Sequence, residues 1–164
     1  MPTAEERACL SMGLLTEGFR FGWPLALELA LSANRLDDAA RLLKVVVDEP
    51  PGHVPPYLKA QLARYTGLVR AALDDHETVE ADLHRAITIL TDLDYAYWLA
   101  RTKADLGHWL TARGRRDEAE PLLTEAVATF TQLAAKPDLD KTRSSLVDAG
   151  VRAEHGGGHL PDEA

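Results

Sequence analysis

The side chains in this sequence whose types could support chemistry are six histidines, several neighbouring aspartates and one serine in a glycine-containing segment. His155 and His159 stand four apart, a spacing at which two imidazoles on one helical turn can hold zinc. The glycines between them, Gly156, Gly157 and Gly158, work against a regular helix, so a solvated tail is the plainer reading. His53, His76, His84 and His108 fall on different predicted elements without a Cys or His-x-x-x-His companion, and each reads as a surface or groove residue. Asp74 with Asp75, and Asp92 with Asp94, resemble carboxylate pairs that divide acid and base roles. They fall at predicted helix ends, where aspartate caps or solvates the backbone. Leu10-Ser11-Met12-Gly13 lacks the first glycine of a nucleophile elbow, and His155-Gly156-Gly157-Gly158 matches an oxyanion loop only superficially. Neither a phosphate-cradling Gly-x-x-x-x-Gly-Lys-Ser/Thr nor a Gly-x-Gly-x-x-Gly occurs. The expectation is a protein with no catalysis, no metal and no cofactor.

The elements that would position these residues are helices. Ala and Leu dominate over Val, Ile and Thr in a chain that is 46% apolar and only 6% aromatic, which favours helix over sheet. At 164 residues the chain can bury a core without disulfides. The formal charge of −8 argues against nucleic acid and anionic membranes, which select for a Lys/Arg surplus. No stretch approaches the roughly 20 apolar residues that span a bilayer. The N-terminal Met1-Pro2-Thr3-Ala4-Glu5-Glu6 has no basic, apolar leader pattern, and Cys9 stands alone, so a cytoplasmic setting is expected.

Shifted by 40 residues, the chain aligns with itself in three copies. Asn34, Asp74 and Gly114 align in a turn, followed by Asp37, Glu77 and Asp117, then Ala39, Val79 and Ala119, then Leu43, Leu83 and Leu123, then Val46, Ala86 and Ala126. Gly67 falls on Gly107, Tyr57 on Tyr97, Ala60 on Ala100, and Leu106 on Leu146. Each copy reads as two antiparallel helices. Ala119, Leu122, Leu123, Ala126, Val127, Phe130 and Leu133 step by threes and fours and form one buried stripe. Gly114 suits a left-handed C-cap before it, and Asp117 with Glu120 has capping-box spacing. Pro55-Pro56 opens a helix to about Leu73, and Pro24 suits the first turn of one ending near Asn34. Thr3 with Glu6 predicts a further N-terminal helix through about Thr16. Trp98 and Trp109, eleven apart, read as core packing, whereas Trp23 either caps the first helix or is exposed. The domain spans 1–149, with a disordered Gly-containing tail over 150–164.

Leu106-Gly107, Leu110, Gly114, Ala119, Leu123 and Ala126 reproduce the apolar, glycine and alanine positions of the tetratricopeptide repeat, and the chain resembles that family over about 20–148. The period exceeds the roughly 34 residues of the standard repeat. The segments Pro55-Pro56-Tyr57-Leu58-Lys59-Ala60-Gln61, Tyr97-Trp98-Leu99-Ala100-Arg101-Thr102 and Gly114-Arg115-Arg116-Asp117-Glu118-Ala119 look like the C-terminal helical region of bacterial regulators. Those regulators join a class III nucleotidyl cyclase or a transcription-regulatory domain to a P-loop ATPase. The resemblance implies an all-α, right-handed stack of helix hairpins, about three repeats with capping helices at the ends. It also implies a concave groove lined by Gln61, Arg64 and Leu68 in one repeat and by Arg101, Ala104 and His108 in the next. Such a groove would take an acidic or C-terminal peptide, or a domain of a parent regulator. In the plainer alternative Arg64 and Arg101 pair with carboxylates of an adjacent repeat. A homodimerising spacer and a small-molecule sensor around Trp98, Trp109 and Arg101 remain as rival readings.

Overall fold

The computed structural model describes residues 13, 16–50 and 52–155, and the side chains of these apart from 148, 149 and 151–155. Among the described residues there are seven helices and no strand. They are α1 (Glu17–Ser32), α2 (Leu36–Val47), α3 (Pro56–Ala72), α4 (Val79–Asp92), α5 (Ala96–Ala112), α6 (Arg116–Gln132) and α7 (Lys136–His155). The all-α expectation holds. The chain divides into two compact units, the first ending at Tyr95 and the second beginning at Ala96.

One turn recurs at five of the helix ends. Asn34, Asp74, Asp94, Gly114 and Ala134 have φ of 54, 62, 54, 79 and 53°. In each case the next residue returns its N–H to a carbonyl five positions back: Arg35 to Ala30 (2.8 Å), Asp75 to Arg70 (3.0 Å), Tyr95 to Leu90 (3.1 Å), Arg115 to Leu110 (2.9 Å) and Ala135 to Phe130 (3.0 Å). This left-handed cap satisfies terminal carbonyls and reverses the chain in two residues. Glycine adopts it freely, and Asn and Asp tolerate it through their short polar side chains, but alanine there costs about 1–2 kcal/mol. The alignment of Asn34, Asp74 and Gly114 therefore marks a shared backbone conformation. The helix starts differ from expectation. Arg35 and Arg115 are the N-caps of α2 and α6, and their guanidiniums fold onto Asp38 and Glu118 three residues on. Asp117 thus lies inside the first turn of α6 and makes no capping box.

In the first unit, α1 begins seven residues before Pro24. Thr16 is its N-cap, accepting a hydrogen bond from the Phe19 N–H at 3.3 Å. The helix predicted over Thr3–Thr16, apart from Gly13 and Thr16, lies outside the described residues. Pro24 removes one backbone donor inside α1. The helix continues because Phe19, Trp23, Leu27 and Ala30 form one fully buried stripe that is lost if it stops. Trp23, neither a cap nor exposed, stacks on Phe19 (6.0 Å between centroids) and donates Nε1–H to the Leu42 carbonyl at 2.8 Å. In the hairpin of α3 and α4, a Cβ on Gly67 would lie 3.2 Å from Leu83 Cγ.

In the second unit the equivalent contact is tighter. A Cβ on Gly107 of α5 would lie 2.7 Å from Leu123 Cγ and Cδ2 of α6. Ala100, Ala104, Ala126, Phe130 and Leu139 form the core beside it. Leu133, expected on the buried stripe, is 48% exposed because α6 ends one residue earlier and Leu133 is its C-cap. Helix α7 runs on to His155, into the segment expected to be tail. A lone Gly150 costs only about 1 kcal/mol against alanine, too little to end a helix.

Gly107→Ala should destabilise the fold by about 1–3 kcal/mol through overpacking against Leu123. Ala134→Gly should stabilise it by up to about 1 kcal/mol through relief of left-handed strain. Chemical denaturation of both variants checks this, and opposite signs would contradict the two packing assignments.

Candidate functional site

The six side chains assigned to a groove lie on α3 and α5. Helix α3 is buried on nearly every side, with Tyr57, Leu58, Ala60, Gln61, Ala63, Arg64, Tyr65, Gly67 and Val69 all enclosed. Gln61 and Arg64, 0% and 2% exposed, therefore offer no contact surface, and Leu68 is half-buried. The Arg64 guanidinium sits over the Tyr65 ring at 4.7 Å. A helix buried all round cannot present a wet inner stripe.

On α5, Arg101 and His108 are partly buried and Ala104 belongs to the core. The Arg101 guanidinium lies 5.5 Å from the Trp98 ring and 6.0 Å from that of Tyr97, and its Nε is 3.5 Å from Asp138 Oδ1. The Tyr97 hydroxyl donates to Asp138 Oδ2 at 3.0 Å. The carboxylate of α7 thus meets the arginine, which is the plainer of the two readings for Arg101. Trp98 and Trp109, expected in the core, are only half-buried. Trp98 packs edge-on against Tyr97, and the Arg113 guanidinium covers Trp109 at 5.3 Å. Among the described residues no three His, Cys, Asp or Glu side chains gather as a metal site.

Two clefts of the first unit hold polar groups that sequence reasoning did not single out. The wider, about 560 Å³, lies between α3 and α4. Its floor is apolar, from Leu62, Ala63, Ala81 and Ile89, and its charges are Lys59, Arg70, Asp82 and Arg85. Asp82 is buried. Arg70 Nη1 donates to Asp82 Oδ2 at 2.7 Å and also to Thr78, while Arg85 Nη1 stands 3.6 Å from Asp82 Oδ1. One carboxylate meets two arginines, and Lys59 adds a third cation to the lining, so the cleft is positive within an acidic chain. Arg85 lies three residues beyond Asp82 on one helical face, which sequence can show. Arg70 reaches the same carboxylate from another helix, which it cannot.

The narrower cleft, about 300 Å³, is walled by Pro55, Pro56, Tyr57, Leu58, Leu93 and Tyr95, with Arg20 as its one cation. Tyr57 and Tyr95 meet edge-on at 5.6 Å. Burial pushes the Tyr57 hydroxyl above the usual phenol range, against smaller opposing effects of Gln61 and of the Arg20 and Arg64 charges. It is therefore a neutral donor at physiological pH.

His108 is held below the usual imidazole range chiefly by burial, with Lys141 acting in the same direction and Asp105 against it. The folded state then resists a proton that the unfolded chain accepts. Stability is complete above the unfolded value of about 6.5 and falls as pH drops below it toward the depressed folded value. Urea titrations from neutral pH to about 5 should show this loss, with a shallower slope in His108→Gln. Equal slopes would contradict it. Compared with protein family models, curated proteins and solved structures, the chain matches none, so the arrangement of its own residues carries the functional reading.

Proposed function

We propose that the chain is a non-catalytic protein-binding module, a short TPR-like array of helix hairpins, that accepts an acidic segment of a partner in the cleft between α3 and α4. The partner is another protein or another domain of a parent regulator, and the setting is cytoplasmic. Among the described residues no helix is long and apolar enough to cross a membrane. The hairpins α1 with α2, α3 with α4 and α5 with α6 recur with the 40-residue repeat, and each reverses at a left-handed residue. That regularity supports the repeat reading.

The observation that carries the function is the shared carboxylate. Asp82 holds Arg70 at 2.7 Å and Arg85 more loosely at 3.6 Å, and a single carboxylate cannot balance these two cations and Lys59, so a positive surplus is left at Arg85 and Lys59 to meet incoming charge beside an apolar floor. Exposed ion pairs contribute about 0.2–1 kcal/mol each, so they set orientation and on-rate while apolar side chains supply most of the affinity. The proposed ligand therefore alternates Asp or Glu with Leu or Phe. A fluorescein-labelled peptide of that pattern should bind with salt-sensitive affinity. The double reversal Lys59→Glu with Arg85→Glu should weaken it by about tenfold or more. Equal binding of the reversed protein, or of a Lys-for-Glu peptide, would remove the proposal.

A second reading, a homodimerising arm, rests on a different surface. Phe21, Leu25 and Leu29, spaced by four on α1, are 58, 57 and 60% exposed and form one apolar stripe. Antiparallel pairing about Leu25 sets Phe21 of one copy against Leu29 of the other. Sedimentation equilibrium should show a concentration-dependent mass that Leu25→Glu abolishes; a monomer at all concentrations counts against this arm.

A further inference from the structure

The narrow cleft of the first unit differs in kind from the wide one. Arg20 enters it from α1, and its guanidinium lies 4.8 Å from the Tyr57 ring centroid and 5.5 Å from that of Tyr95. Its Nη2 donates to the Tyr95 hydroxyl at 2.6 Å. Its Nε is buried and has no acceptor. The chain carries 26 acidic residues against 18 basic ones, yet none of the described carboxylates forms an ion pair with Arg20. Arg70 and Arg101, by contrast, each have an aspartate.

An arginine set among aromatic rings with an unsatisfied, buried donor is costly. Ring faces recover part of the lost hydration, but a guanidinium with no carboxylate beside it keeps an uncompensated charge, which an anion meeting its terminal nitrogens from the cleft would offset. The walls say what that anion is attached to. Pro55 and Pro56 have no N–H to offer, Leu58 and Leu93 are apolar, and the two tyrosines present ring surface. About 300 Å³ is at the small end of ligand cavities and suits one ring with a short substituent. A single guanidinium, planar and unaided by a lysine, matches a carboxylate better than a phosphate dianion.

We propose that this cleft is a binding site for a small monocarboxylate with an aromatic or branched apolar body, held by the Arg20 guanidinium between Tyr57 and Tyr95. The carboxylate accepts from the guanidinium, the apolar body lies on Pro55, Pro56 and Leu93, and no bond is made or broken. The site is independent of the acidic-peptide cleft. Lys59→Glu with Arg85→Glu should leave it unchanged, so failure of one proposal is distinguishable from failure of the other.

The test is isothermal titration of the full chain with benzoate, with benzamide as a neutral isostere, inorganic phosphate as a competing anion and N-acetylphenylalanine as a peptide C-terminus. Benzoate should bind saturably and raise the thermal midpoint, since it binds the folded state alone. Benzamide and phosphate should not bind. Arg20→Gln should weaken benzoate by about tenfold or more, and Leu93→Trp, which fills the cleft and leaves the charge, should abolish binding. Circular dichroism separates loss of binding from loss of fold, and if Arg20→Gln unfolds, Leu93→Trp decides. The proposal is overturned if benzoate does not bind the parent protein, if either folded variant binds it undiminished, or if phosphate binds as well. Binding of N-acetylphenylalanine without benzoate also overturns it and assigns the cleft to a peptide terminus.

Discussion

The left-handed residue at the end of five helices is the constraint on which the rest depends. A helix end leaves carbonyls without partners, and a chain that must turn back at once has two residues in which to satisfy them. Asn34, Asp74, Asp94, Gly114 and Ala134 all meet that demand with the same backbone conformation, and the following N–H closes the turn. The turns at 74, 94, 114 and 134 are evenly spaced, so α4, α5 and α6 each occupy one interval of the same length, although α4 is shorter than the other two. The common turn also sets the register of each hairpin. Gly67 opposes Leu83 and Gly107 opposes Leu123, each glycine sixteen residues before its leucine, as the common turn requires.

Charge placement is the second theme. Buried or half-buried arginines in this chain have different solutions to desolvation. Arg70 shares the carboxylate of Asp82, Arg101 meets Asp138 while covering Trp98, and Arg20 rests on tyrosine rings. Pairing with an aspartate leaves little interaction for a ligand. Aromatic support without a carboxylate leaves the guanidinium able to accept an anion, which is why the narrow cleft has a chemical character that the Arg101 environment lacks. The wide cleft is intermediate, since Asp82 neutralises only one of its three cations.

Much of the helical architecture was legible without coordinates, because helix period and turn chemistry act over a few residues. The stripe at Ala119, Leu123, Ala126 and Phe130, the cap at Gly114 and the alignment of Asn34 with Asp74 are local signals. Pro24 misled for the same reason. As a local signal it starts a helix, but the burial of Phe19, Trp23 and Leu27 against the neighbouring chain outweighs one lost hydrogen bond. The fate of Gln61 and Arg64 was also hidden, since a polar residue on a helix reads as solvent-facing until all sides of that helix are found covered.

The sequence by itself determined the class of fold, the approximate limits of most helices, and the turn shared by Asn34, Asp74 and Gly114, though not the left-handed turns at Asp94 and Ala134. Each follows from interactions between residues no more than about five apart. Only the tertiary structure decided which charges share a partner and which do not. Asp82 with Arg70, Asp138 with Arg101, and Arg20 with Tyr57 and Tyr95 join residues 12, 37 and up to 75 positions apart, on different helices or, for Tyr95, in a turn. The clefts exist because of those meetings. Their chemistry depends on distance and burial in space, and neither can be read from separation along the chain.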